Sequence, residues 1–197
     1  MNMVIENGVC FALIVCTFFS CKKETYKTRY DELLPRNNGT MSGFLNGSEW
    51  KSDIYVASYF RSAENSDTVD FTARIFKNGY EIQQLSIGRI NLLSSIQEIQ
   101  SMIRYDSIGN KFHYVEPTAC YSTFFPMDVD VPENAYWVYE NENTNNHVKI
   151  EVYNSDIKKV KGSFEVHYVR VSKDGPLTQG LPDTLHFTNG KFEFQLK

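Results

Sequence analysis

The sequence predicts an all-β domain: an antiparallel β-sandwich, with a β-barrel as the alternative and at most one short helix. Three observations carry this. Short apolar runs alternate with polar residues at period two, as in Val69, Phe71, Ala73 and Ile75, which is the spacing of a half-buried strand. Turn-forming clusters separate the runs at regular intervals, among them Asn46-Gly47, Lys77-Asn78-Gly79, Lys173-Asp174-Gly175 and Asn189-Gly190. Aromatic residues make up 14% of the 197, enough to fill a β core with rings.

The domain is expected to start near Met41. MSGFLNGSEWKS has the form of a hairpin, with Asn46-Gly47 in the turn and Trp50 returning to the core. Ile54–Phe60, Val69–Phe76 and Tyr80–Ile87 follow as an antiparallel meander. Residues 90–103 break the pattern. Ile90, Leu93, Ile96, Ile99 and Ile103 recur every three or four residues, which fits a helix face capped by Asn91, with a strand pair as the competing reading. Met102 to Thr118 is expected as an irregular loop or hairpin around Ile108-Gly109-Asn110. Strands return at Tyr121–Val131, Ala135–Tyr139, His147–Tyr153, Gly162–Val171, Thr184–Thr188 and Lys191–Leu196, the last two separated by an Asn189-Gly190 turn.

Ahead of this domain lies a segment of different composition. Val9 to Phe19 reads VCFALIVCTFF, eleven residues without charge. At about 1.5 Å per helical residue that covers roughly half of a hydrocarbon core, the length of a signal-peptide h-region. It ends in Phe18-Phe19-Ser20-Cys21, followed by Lys22-Lys23 and a polar stretch to Thr40 suited to a flexible tether. The n-region MNMVIENG carries Glu6 and no Lys or Arg. The alternative is a buried N-terminal strand or helix with an incidental cysteine.

Phe18-Phe19-Ser20-Cys21 resembles the lipobox of bacterial lipoproteins in its looser Bacteroidetes form. The resemblance implies cleavage of residues 1–20 and acylation of Cys21, with two or more chains giving a stable anchor. Lipobox, tether, NG-x-x-W hairpin and the closing strands together resemble small uncharacterised lipoproteins of Bacteroidetes. That implies a membrane partner through the lipid and residence at the outer membrane, without specifying its periplasmic or surface face. It brings no catalytic or binding residues.

Cleavage leaves 177 residues at a formal charge of −3, room for one domain at 41–197 and no electrostatic footprint for nucleic acid. Cys120 is then the single cysteine beyond Cys21, so no intramolecular disulfide forms, and it is expected to be buried and inert.

Motifs of catalysis are missing: there is no G-x-S-x-G, H-E-x-x-H, phosphate-cradling loop, EF-hand or C-x-x-C. An enzyme is therefore not favoured, and no cofactor is expected. His113, His147, His167 and His186 show no ligand spacing, so no metal site is expected, and His167 is expected to face solvent. Asp128, Asp130 and Glu133 form the best acidic cluster, on one strand face and its turn. It suits calcium or glycoside hydrolysis, or it is a solvated stripe. In Ala135–Tyr139, alternation puts Tyr136 and Val138 on one face and Trp137 and Tyr139 on the other. If the first pair is core, Trp137 and Tyr139 form an outward aromatic patch suited to a sugar. Thr68, Ser107 and Thr184 each sit in D-[S/T]-apolar, which looks like the acceptor motif of Bacteroidetes O-glycosylation.

The expected function is a ligand- or partner-binding accessory domain of the envelope, with a glycan or an outer-membrane protein as its partner. A passive structural component and a carboxylate-dependent hydrolase are the alternatives.

Overall fold

The computed structural model describes residues 39–61, 67–78, 80–93, 95–106, 111–128, 131–132, 135–141, 144–171 and 180–196. Cys21, the tether to residue 38, Ser107, Asp130 and Glu133 lie outside them. Among the described residues there are thirteen strands and no helix.

The expected meander comes first. β1 (Gly39–Leu45) and β2 (Ser48–Arg61) form a hairpin closed by Leu45 opposite Ser48. Asn46 and Gly47 both have positive φ, 48° and 81°, as a two-residue type I′ turn requires. β3 (Asp67–Lys77) and β4 (Tyr80–Asn91) continue it. β8 (Tyr121–Asp128) pairs with β4, and β10 (Tyr136–Val138) pairs with both β8 and β12 (Lys159–Arg170). β13 (Thr184–Gln195) joins β12 to β1. The ring β10-β8-β4-β3-β2-β1-β13-β12 therefore closes on itself as an eight-stranded antiparallel barrel. The barrel replaces the two separate sheets of a sandwich because the short β10 satisfies both edges at once.

The remaining strands lie outside the ring. β11 (His147–Asn154) pairs with the first half of β12, end to end with β10, and β5 (Ile96–Glu98) pairs with β11. β6 (Ile103–Asp106) and β7 (Lys111–Tyr114) form a hairpin of their own, the second of the two forms expected there. β9 (Val131–Pro132) pairs back on β8.

Alternate residues of each wall point inward and fill the barrel. Trp50, Phe71, Phe124, Tyr136, Phe164, Tyr168, Phe187, Phe192 and Phe194 are all buried. Trp50 meets Phe187 edge to face at 5.1 Å, and its indole N–H donates to Gln83 Oε1 at 2.8 Å. Tyr168 shares a 2.6 Å hydrogen bond with the Ser122 hydroxyl, which also lies 2.8 Å from the Ser86 carbonyl. Buried phenols and indoles thus keep polar partners.

Three sequence expectations change here. The helix over 90–103 is not formed: β4 runs to Asn91, and a turn leads into β5. Asn91 does cap, but it caps that turn, its Oδ1 accepting the Leu93 N–H at 2.9 Å. Gln97 then locks the turn, accepting the Asn91 N–H and donating to the Asn91 carbonyl. Second, the Asn189-Gly190 turn is absent, and β13 is one strand with a bulge at that point. Third, the strand expected over Tyr121–Val131 ends at Asp128, which pairs with Val131. Asp130, read on one face with Asp128, lies outside the described residues.

Candidate functional site

An open cleft of about 770 Å³ lies against the outer wall where β3, β4 and β8 meet the 97–120 excursion. Its floor is built by a bulge. The β3–β4 register slips between Val69 and Phe71, so Asp70 faces both Gly88 and Arg89. Arg89 takes a positive φ of 55° there, a left-handed conformation that residues other than glycine adopt uncommonly. Its backbone N–H donates to Asp70 Oδ1 at 2.5 Å. Bulges redirect side chains, and this one sends the Arg89 guanidinium across to the opposite wall. It donates to the Pro117 carbonyl and lies 3.3 Å from Glu116 Oε1.

Gly88 is needed beside it. A Cβ there would fall 2.4 Å from the Tyr121 ring, which lies over the glycine and into the cleft. Burial, followed by the Asp70 carboxylate, pushes the Tyr121 phenol above its usual pKa, so it is a neutral donor. The same two influences raise the thiol of Cys120 far above its usual range. Buried and protonated, Cys120 is no nucleophile. The roof is tied down by backbone bonds: Gln100 N–H donates to the Cys120 carbonyl at 2.7 Å, and Val115 N–H to Met102 at 2.8 Å.

Tyr114, 64% exposed, forms the outer lip. Its ring meets Trp137 edge to face, centroids 6.3 Å apart. The cleft therefore continues onto the aromatic face read from the sequence. On β10, Tyr136 and Val138 are buried in the barrel, Trp137 is half-buried on the outside and Tyr139 is exposed. Of the other candidates, Thr68 is half-buried in the cleft wall and Thr184 is exposed at the start of β13. Asp128 is exposed at the end of β8, away from the cleft-lining set.

The residues that build the cleft floor, Asp70 and Arg89, carried no motif. Arg89 follows a glycine inside a strand, a bulge signal in itself, but only the pairing of β3 with β4 brings it to Asp70. His167 lies on the outer face as expected, stacked on His186, a contact their separation in sequence did not suggest. No family model, no curated protein and no solved structure matches this chain.

Proposed function

We propose that this is a lipid-anchored envelope protein whose barrel presents the Arg89–Tyr121 cleft to a glycan. The carrying observation is the lining of the cleft. Two tyrosines stand at its wall and lip among amides (Asn91, Gln97, Gln100), carboxylates (Asp70, Glu98, Glu116) and a fixed guanidinium. Sugars demand that combination, because their hydroxyls need paired donors and acceptors while their C–H faces pack on rings. Trp137, in contact with Tyr114, extends the platform beyond one residue of sugar.

The outer wall supports placing the barrel in water on a lipid tether. Lys149, Glu151, Lys161, Lys191 and Glu193 are outward-facing, and Lys159 and Lys161 both bridge Glu193, at 2.5 and 2.7 Å. A barrel that spans lipid needs an apolar band there, and its lumen is polar, whereas this interior is packed with rings.

Two measurements test the reading separately. Metabolic labelling with a palmitate analogue is expected to mark the protein and to leave Cys21→Ala unmarked. Calorimetric titration with neutral and acidic oligosaccharides is expected to give binding that Tyr114→Ala weakens about fivefold or more, because stacking on one ring contributes ~1 kcal/mol or more. Tyr114 is exposed, so its loss leaves the barrel intact. Unlabelled protein overturns the anchor. Binding to no sugar, or binding indifferent to Tyr114, overturns the ligand class.

A further inference from the structure

We propose that Glu165, His167 and His186 form a divalent metal site, suited to zinc, on the outer wall of the barrel. His167 on β12 and His186 on β13 are direct register partners, so both side chains leave the same face. Glu165 stands two residues before His167 on that face. It sits where the register slips between Phe164 and Val166, and such slips re-aim side chains. On the other flank of β12, Glu165 is the register partner of His147. Three of the four histidines of the chain thus fall on adjacent strands of one face.

The donor atoms are already gathered. One from each of Glu165, His167 and His186 lies within 4.8 Å of the other two. Glu165 Oε1 is 3.0 Å from His186 Nε2, and the two imidazole rings are stacked with centroids 3.5 Å apart. Tetrahedral zinc with bonds of about 2.0–2.1 Å spaces its donors about 3.3 Å apart. The rings lie 21° from parallel, so splaying them about their Cβ–Cγ bonds is the movement that converges their lone pairs. All three residues are half-buried, so nothing in the core has to shift, and solvent reaches the fourth position.

A polar shell orients the ligands. Asn146, 6% exposed, accepts the His167 backbone N–H at 2.7 Å through Oδ1 and donates to the Tyr139 carbonyl at 2.8 Å through Nδ2. The same Oδ1 is 3.4 Å from His167 Nδ1. A ligand histidine commonly gives its second ring N–H to such a carbonyl, which here leaves Nε2 its lone pair. His186 is anchored from the other side, its backbone N–H donating to Asn46 Oδ1 at 2.7 Å.

The test uses the full chain, purified in detergent without a polyhistidine tag. It is titrated with zinc alone by calorimetry, and with cobalt(II) followed by visible absorption. The expected result is one ion per chain with a Kd of ~10 µM or tighter and the intense visible bands of tetrahedral cobalt. His167→Gln and His186→Gln are each expected to weaken zinc binding at least tenfold and abolish those bands, with the far-UV circular dichroism unchanged. His113→Gln is expected to change neither. In the unsubstituted chain, the ring signals of His167 and His186 in NMR spectra are expected to move on adding zinc, a readout independent of whether any variant folds. Absence of stoichiometric binding overturns the site, as does binding that survives the His167→Gln, His186→Gln double substitution. Zinc-induced shifts that leave both rings unmoved also overturn it.

Discussion

Asn46-Gly47 and Asn189-Gly190 are the same dipeptide, and both asparagines adopt nearly the same left-handed φ, 48° and 51°. One reverses the chain and the other does not. At the first, Gly47 is left-handed too, at 81°, and two consecutive left-handed residues make the type I′ turn. At the second, Asn189 alone carries the positive φ, and the strand absorbs one extra residue. The neighbours decide the difference. Asn189 and Gly190 lie inside β13, which is paired with β1 on one side and β12 on the other, both before and after the dipeptide. The buried set records the extra residue: Leu185 and Phe187 are odd-numbered, whereas Gly190, Phe192, Phe194 and Leu196 are even. The dipeptide specifies a local backbone geometry, and long-range pairing decides whether that geometry turns the chain.

If that is right, alanine should have very different effects at the two glycines. A Cβ on Gly190 would fall 2.3 Å from the Phe164 ring, inside a packed wall where the ring cannot leave. Gly190→Ala is expected to destabilise the domain by ~3 kcal/mol, the upper range for overpacking a core, read as a lower midpoint in urea. Combining it with Phe164→Leu should recover part of that loss; additive losses would show that the ring is not the obstacle. A Cβ on Gly47 meets nothing within 4 Å. Gly47→Ala is therefore expected to cost only the left-handed backbone, ~1 kcal/mol. Equal losses at the two positions would break the comparison.

The same distinction between local and long-range information sets how much was legible. Local pattern gave the all-β class, the Asn46-Gly47 hairpin, the burial of Trp50 and the two faces of β10. It misled at 90–103, where apolar spacing had no common face: Ile90 and Ile99 are fully buried, but Leu93 and Ile96 are 69% and 59% exposed. A turn between two short extended stretches happens to place apolar residues at helical intervals. Local pattern offered the barrel only as the alternative to a sandwich, because closure depends on β10, which pairs through three residues with β12 and through two with β8. The cleft floor was hidden, since Asp70 and Arg89 meet only through the slipped β3–β4 register. The stacked His167 and His186 belong to the same class of contact, chemistry assembled by strand pairing and invisible to spacing.

The smallest effect at neutral pH lies in the barrel interior and grows only in alkali. Tyr168 faces Leu185 in the register just before the bulge, and burial pushes its phenol well above the usual tyrosine pKa. The unfolded chain releases that proton near pH 10, and the folded chain still holds it there. The folded state then binds more protons than the unfolded one, so stability falls as the pH rises through and above about 10. Below that pH both states are protonated and the contribution vanishes. Denaturation midpoints measured from pH 7 to 11 are expected to stay level to about pH 8, to begin falling from about 8.5 as the raised Cys120 thiol makes the same linkage, and to fall more steeply above about 10. Tyr168→Phe should shallow the steeper part while losing the 2.6 Å bond to Ser122 at every pH. The Gly47→Ala difference should not change across the same range, because the turn carries no titrating group. An alkaline drop of equal size in Tyr168→Phe would assign the proton to another buried group, Cys120 first, its thiol raised by burial and then by Asp70, and Tyr121 and Tyr136 after it.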